Sequence, residues 1–83
     1  MTRFHLNLID EVRLVRDEEG HELRDLDGAY DAAIEGIRSI VSDEARRGVI
    51  DLTGCVEITD ERGGRLRLLG FAEAFELRRP EKE

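Results

Sequence analysis

The chain has 83 residues, of which 13 are Lys or Arg and 20 are Asp or Glu, so its formal net charge is −7. This length suits a single domain and excludes a multidomain enzyme. With 40% hydrophobic residues, one cysteine and no long apolar run, the sequence also excludes a disordered chain, a disulfide scaffold and a membrane-spanning protein.

Charge distribution and cysteine content bear on partners and location. An acidic surface repels nucleic-acid phosphates, so nucleic acid is not an expected partner. Residues 17–31 alone hold seven acids and one base, and we expect a solvated acidic surface there. Cys55 is the single cysteine, and His5, Asn7 and Asp10 break the N-terminal apolar run before it reaches the length of a secretion signal. These features predict a cytoplasmic protein with no membrane partner.

The first quarter of the chain predicts two strands. Apolar and polar residues alternate over residues 3–9, and branched residues dominate residues 12–16. The two segments are therefore expected to pair as a hairpin, with a two-residue break that a bulge or a longer loop could replace. Residues 17–20 are expected to form a turn, and residues 21–24 a connector.

An amphipathic helix is predicted from Leu26 to about Arg47, because apolar residues recur there every three or four positions. Asp25 is placed as the N-cap and Gly48 as the residue that ends the helix. Gly36 lies inside it and costs about 1 kcal/mol relative to Ala. Either the helix is weaker at this glycine or the small residue allows another backbone to approach.

The second half of the chain predicts a further hairpin. Residues 55–59 alternate as a third strand, residues 60–64 form a glycine-containing loop, and residues 65–69 form a fourth strand. Residues 71–77 either extend that strand or make a short turn before pairing again. Residues 80–83 are expected to be a frayed tail.

The predicted fold is α+β with the order β-β-α-β-β, in a single domain of residues 1–79. A four-stranded, mainly antiparallel sheet is expected to pack one face against the helix, which gives two layers. The residues expected to face the helix are Phe4, Leu6, Leu8, Val12, Leu14, Val56, Ile58, Leu66 and Leu68. The residues expected on the opposite face are His5, Asn7, Ile9, Arg13, Val15, Glu57, Thr59, Arg65, Arg67 and Leu69.

No residue pattern predicts catalysis, a cofactor or a metal centre. Cys55 and His5 share the polar-face register, but nothing in the sequence requires contact, and a packed cysteine is favoured over a nucleophile. Residues 17–22, which include His21, are the one local cluster that could hold a hard cation, although a capped acidic turn is favoured. Phosphate-binding loops and a zinc ligand set are absent from the sequence. A two-layer domain also leaves little room for a pocket, so a protein without enzymatic activity is expected.

A short motif carries a resemblance to a known family. It reads Phe4-x-Leu6-x-Leu8, followed by Asp17-x-Glu19-Gly20-x-x-Leu23-x-Asp25-Leu26-x-x-Ala29. This pattern resembles a family of short bacterial proteins catalogued only as a domain of unknown function, and the likeness covers about residues 3–77. The sequence departs from the family at Arg24, where the family often has Pro, and at Asp10-Glu11, where it often has Asp-Gly. Because the family has no known activity, the resemblance implies no functional residues.

The expected function is that of a small, non-catalytic protein-interaction module in the cytoplasm. The contact surface is expected on the sheet face away from the helix, at Ile9, Arg13, Val15, Arg65, Arg67 and Leu69. Three large aliphatic residues on one exposed face usually mark an interface, so we expect a homodimer or a tight complex with another protein. Two alternatives stay open: a small enzyme or ligand- or cation-binding domain that uses the acidic loop with His21, and an antitoxin-like regulatory domain. The second rests on a likeness of element order alone.

Overall fold

The computed structural model describes residues 1–81, and it confirms the predicted α+β fold, in which one helix lies on a mainly antiparallel sheet. The elements in chain order are β1 (Thr2–Ile9), β2 (Leu14–Val15), β3 (His21–Leu23), α1 (Leu26–Arg46), β4 (Cys55–Thr59), β5 (Arg65–Gly70) and a short 3-10 helix (Phe71–Ala74). Residues 82 and 83 of the predicted C-terminal tail lie outside the described residues. Within residues 1–81, no helix is both long enough and apolar enough to cross a membrane.

Strand β1 lies inside the sheet, and β5 lies at its far edge. The order across the sheet is β2, β1, β4 and β5, and every pairing is antiparallel. Residues 21–24, predicted to be a connector, instead contain β3, which pairs with Thr2–Phe4 of β1. The sheet therefore has five strands and not four. A three-residue strand is too short to display alternation, so only its pairing with β1 reveals it.

The first hairpin turns through four residues, 10–13, and its second strand is correspondingly short. The Asp10 carboxylate accepts hydrogen bonds from the Val12 and Arg13 amides at 2.8 and 2.9 Å, which holds the turn closed. Val12, predicted to face the helix, is 90% exposed because it lies in this turn. Leu14, also predicted to face the helix, is exposed and lies opposite Ile9 on the other face of the sheet.

The helix forms where its apolar spacing predicts, and both ends are capped as expected. The Asp25 side chain accepts a hydrogen bond from the Gly28 amide at 2.9 Å. Gly48 adopts a φ of 93°, the left-handed conformation that ends many helices. Gly36 has no neighbour within reach of an added methyl group, so it weakens the helix and does not admit another backbone.

The core lies between the helix and the central strands. The buried apolar residues are Phe4, Ala29, Ala33, Ile34, Ile37, Val41, Val56, Ile58, Leu69, Phe71 and Ala74. Residues 71–74 form a short 3-10 helix, so the turn foreseen as one option for this segment is observed, but residues 75–77 do not pair again as that option expected. Phe71 is anchored there because its amide donates to the Gly54 carbonyl at 2.9 Å.

Strand β5 presents the opposite face from the one predicted. Leu69 lies opposite Val56 and is fully buried, whereas Leu66 and Leu68 are each 44% exposed. The prediction placed Leu66 and Leu68 inward because they alternate with Arg65, Arg67 and Leu69. The register with β4 decides otherwise, and Leu69 is the residue that reaches the core beneath the helix.

Candidate interaction surfaces

Strand β5 is the exposed edge of the sheet, and a β-bulge shapes it. Ile58 lies opposite Arg67 and Thr59 opposite Arg65, so Leu66 is an extra residue in the ladder. Leu68 lies opposite Glu57, on the face away from the helix, which we call the open face. The strand thus offers two half-exposed leucines beside backbone groups that no strand covers within residues 1–81.

A cluster of hydrogen-bonded polar side chains lies on the open face and connects β5 to the neighbouring strands. Glu57 accepts hydrogen bonds from Arg65 Nε at 2.9 Å and from the Asn7 side-chain amide at 3.2 Å. The hydrogen bond from Arg65 is the main reason that the pKa of Glu57 lies below its usual value, and the bond from Asn7 lowers it further, against the opposing effect of burial. Asn7 is itself buried, and its side-chain oxygen accepts the Asp17 amide at 2.9 Å. The cluster therefore links β4, β5 and β1 to the acidic loop between β2 and β3, in which Asp17 lies.

Arg67 lies on the helix side of β5, not on the open face where it was predicted. Its guanidinium carbon is 4.3 Å from the centre of the Tyr30 ring on α1. This cation–π contact explains how an arginine occupies a position opposite the buried Ile58 while its charge stays in water. The guanidinium makes no ion pair within residues 1–81, so its charge is free to meet a partner.

The structure does not bring the six predicted contact residues into one patch. Ile9 is half-buried on the open face, and Arg13 lies in the first turn, where its Nε is 3.1 Å from Asp10. Val15 is exposed but lies opposite Leu8, toward the helix side. Arg65 is on the open face as predicted, whereas Leu69 is in the core and Arg67 is on the helix side.

Sequence reasoning missed the exposure of Leu66 and Leu68. A signal was present in the adjacent pair Leu68-Leu69, since neighbouring strand residues point to opposite faces and one of the two had to point away from the core. Which one points outward depends on the register with β4, and sequence alternation alone does not set it.

The acidic loop between β2 and β3 is a capped turn organised by Asp17. Its carboxylate accepts the Leu6 amide at 3.1 Å and the Gly20 amide at 3.2 Å, and it lies 2.9 Å from His21 Nδ1. These bonds occupy the oxygens that a cation would need. Within residues 1–81, no group of three or more His, Cys, Asp or Glu side chains is arranged to hold a metal ion.

His5 and Cys55 share the open face but are far apart. Cys55 lies opposite Ile9, four residues along β1 from His5, which corresponds to about 13 Å at the rise of a strand. His5 instead lines a shallow polar cleft with Asn7, Thr59 and Arg62, and its Nδ1 hydrogen-bonds to the Asp17 carbonyl. The two side chains are therefore too distant for the nucleophile–base pair considered from the sequence.

An apolar cleft of about 250 Å³ lies at the C-terminal end of the helix. It is lined by Val41, Ala45, Ile50, Leu52, Phe75 and Leu77. Ile50 and Leu77 are 69% and 56% exposed, so the rim of the cleft is apolar as well. This cleft is the second surface of the molecule with the character of a contact site.

Comparison with known proteins gives one family match. Residues 3–72 match a family model described as "Domain of unknown function (DUF6894)". The match covers α1, β2 to β5 and all of β1 except Thr2, so it concerns the whole fold and not a local motif. No curated protein and no solved structure matches the chain.

Proposed function

Because the chain belongs to the DUF6894 family, a domain of unknown function, its surfaces are the guide to its role, and we propose a small, non-catalytic module that binds a protein through strand β5. The observation that carries this proposal is that β5 is an exposed edge strand with apolar side chains. Leu66 and Leu68 are each 44% exposed on a six-residue strand that pairs on one side only. An exposed edge strand with aliphatic side chains is a template for a further strand.

The opposite edge of the sheet gives the contrast that supports this choice. There β2 has two residues and β3 has three, and the acidic loop organised by Asp17 separates them. Short, interrupted edge strands flanked by charge are how natural sheets avoid unwanted pairing. Strand β5 is longer, with six residues and one bulge at Leu66, so it is the edge better suited to a partner.

The β5 edge takes the place of the sheet face on which a homodimer contact was predicted. That expectation used Ile9, Val15 and Leu69, and burial of Leu69 removes one of the three. Leu66 and Leu68 supply exposed aliphatic surface instead, on a strand that either a second copy or another protein could extend. A location in the cytoplasm belongs to this proposal, because the one cysteine is a free thiol of the kind common in reducing compartments.

An enzyme or a ligand-binding domain built on the acidic loop with His21 has weaker support. The Asp17 carboxylate, the centre of that loop, is already bonded to two backbone amides and to His21. These bonds are accounted for by a structural role of Asp17 in closing the turn.

The proposal is tested by affinity capture from the native host with quantitative mass spectrometry, together with sedimentation of the purified protein. The double variant Leu66→Gln with Leu68→Gln removes the apolar edge without changing the net charge. Val12→Gln is the matched control, since Val12 is 90% exposed in the first turn. We expect wild type and control to retain the same partner, or to self-associate, and the double variant to lose it. Equal capture by all three proteins, with all three monomeric, would overturn the proposal.

A further inference from the structure

We propose that the strand bound by β5 is an extended segment of another protein in which acidic residues alternate with aliphatic ones. This inference rests on the proposed function and adds the chemistry of the partner. It follows from the positive charges on the edge, from the different side chains on the two faces of β5, and from the poor charge complementarity when β5 pairs with a second copy.

The charge along β5 is wholly positive. Arg65 and Arg67 lie within the strand, and no acidic residue occurs in Arg65–Gly70. Arg62 lies in the turn before the strand, beside Asp60 and Glu61. Arg65 and Arg67 are both exposed. Arg65 is already paired with Glu57, whose carboxylate lies 2.9 Å from its Nε, whereas Arg67 makes no ion pair within residues 1–81. A carboxylate on a strand laid beside this edge therefore gains its attraction chiefly from Arg67.

The two faces of β5 favour different side chains on an added strand. Arg67 and the Tyr30 ring that it covers lie on the helix side, and Leu68 lies on the open face. Side chains of an added strand alternate between these faces with a period of two. A segment that places carboxylates beside Arg67 and aliphatic groups beside Leu68 therefore alternates acidic and apolar residues.

A second copy of β5 does not satisfy these requirements. Two-fold antiparallel pairing centred on position 67 places Arg67 opposite Arg67 of the other copy. Pairing centred on position 66 places Arg65 opposite Arg67. Like charges directly opposite each other destabilise a strand pair. Pairing centred on position 68 avoids these contacts, but it places Arg67 opposite Leu69 and so gives Arg67 no carboxylate. In none of these three registers does a second copy offer Arg67 an opposite charge, whereas an acidic strand does.

The test is fluorescence anisotropy with two labelled ten-residue peptides. One alternates Glu with Val, and the other alternates Lys with Val. Each is titrated with the 83-residue wild-type chain and with Arg67→Glu, Arg62→Glu and Arg79→Glu, after thermal melts have established that each variant is folded. Arg62→Glu keeps the test valid if loss of the Tyr30 contact unfolds Arg67→Glu, and Arg79→Glu makes the same change of charge outside the strand.

We expect the acidic peptide to bind wild type at least roughly tenfold more tightly than the basic peptide, a difference of about 1.4 kcal/mol. Added salt should weaken this binding. Arg62→Glu and Arg67→Glu should abolish or reverse the preference, and Arg79→Glu should retain it. Equal binding of the two peptides, or a preference that both strand-side variants leave intact, would overturn the inference.

Capture and sedimentation separate failure of this inference from failure of the proposed function. If the Leu66/Leu68 double variant loses a protein partner that the acidic peptide does not displace from wild type, the inference is wrong and the function stands. If wild type forms a dimer that the double variant dissolves, the occupant is a second copy and the inference is again wrong. If neither binding nor association depends on β5, both are wrong.

Discussion

Short carboxylate side chains hold most of the turns in this chain. Asp10, Asp25 and Asp60 each accept backbone amides within four residues of themselves, and the sequence predicted the role of Asp25 because it precedes an apolar stripe of helical spacing. The role of Asp17 could not be predicted in the same way. Its most distant backbone partner, the Leu6 amide, is eleven residues away, and that contact exists only once β1 and the acidic loop lie together.

The N-cap gives a residue-scale prediction. Asp25→Ala should lower the free energy of unfolding by about 1 kcal/mol, because the Gly28 amide loses its acceptor. Asp25→Asn should cost much less, since its side-chain oxygen still accepts this bond. Urea melts of the three proteins measure the difference. Equal losses from the two substitutions would show that the charge of Asp25, and not its hydrogen bond, stabilises the helix.

Glu57 gives a second residue-scale prediction, in the pH dependence of stability. Its pKa is lowered in the folded protein, chiefly by the hydrogen bond from Arg65. The contribution of Glu57 to the stability of the fold is therefore fully present above its pKa in the unfolded chain, near 4.5. This contribution is lost as the pH falls through the lower pKa of the folded protein. Compared with Glu57→Gln, wild type should lose more stability between about pH 5 and pH 3. Parallel profiles in thermal melts would contradict this account.

At the scale of elements, the sequence predicted the long helix and the main strands well because their patterns persist over many residues. Ile37, at the centre of the apolar stripe, is fully buried as that spacing requires. Strand β5 was oriented wrongly because its leucines occur on both faces, so that alternation within the strand is ambiguous. The bulge at Leu66 adds a second source of error, since it shifts the register with β4 in mid-strand.

Two glycines give an element-scale prediction with opposite signs. Gly36→Ala should raise the free energy of unfolding by about 0.5–1 kcal/mol, because the helix gains propensity and the added methyl group meets nothing within 4 Å. Gly20→Ala should destabilise, since Gly20 has a φ of 75° and the added carbon would lie 2.9 Å from the Phe4 carbonyl oxygen. Denaturant melts of both variants, compared with wild type, measure the two effects. Destabilisation by Gly36→Ala would mean that the helix needs a small residue at this position.

At the scale of the whole molecule, the two edges of the sheet differ in length and in charge. The acidic loop and the two short strands beside it form one edge, whereas the other edge is the six-residue strand β5, which has one bulge and carries arginines but no acidic residue. The sequence revealed the acidic segment, because charge can be counted along the chain. It did not reveal that basic residues line the opposite edge, since that placement depends on the strand order β2, β1, β4 and β5.

Amide hydrogen exchange, followed by NMR with and without the Glu–Val peptide, tests most directly whether β5 is the docking edge. The account predicts that the peptide slows exchange at amides of Arg65–Gly70 that do not bond to β4, and leaves exchange in β2 and β3 unchanged. Slowed exchange around residues 49–52, beside the apolar cleft, with no change in β5, would contradict it.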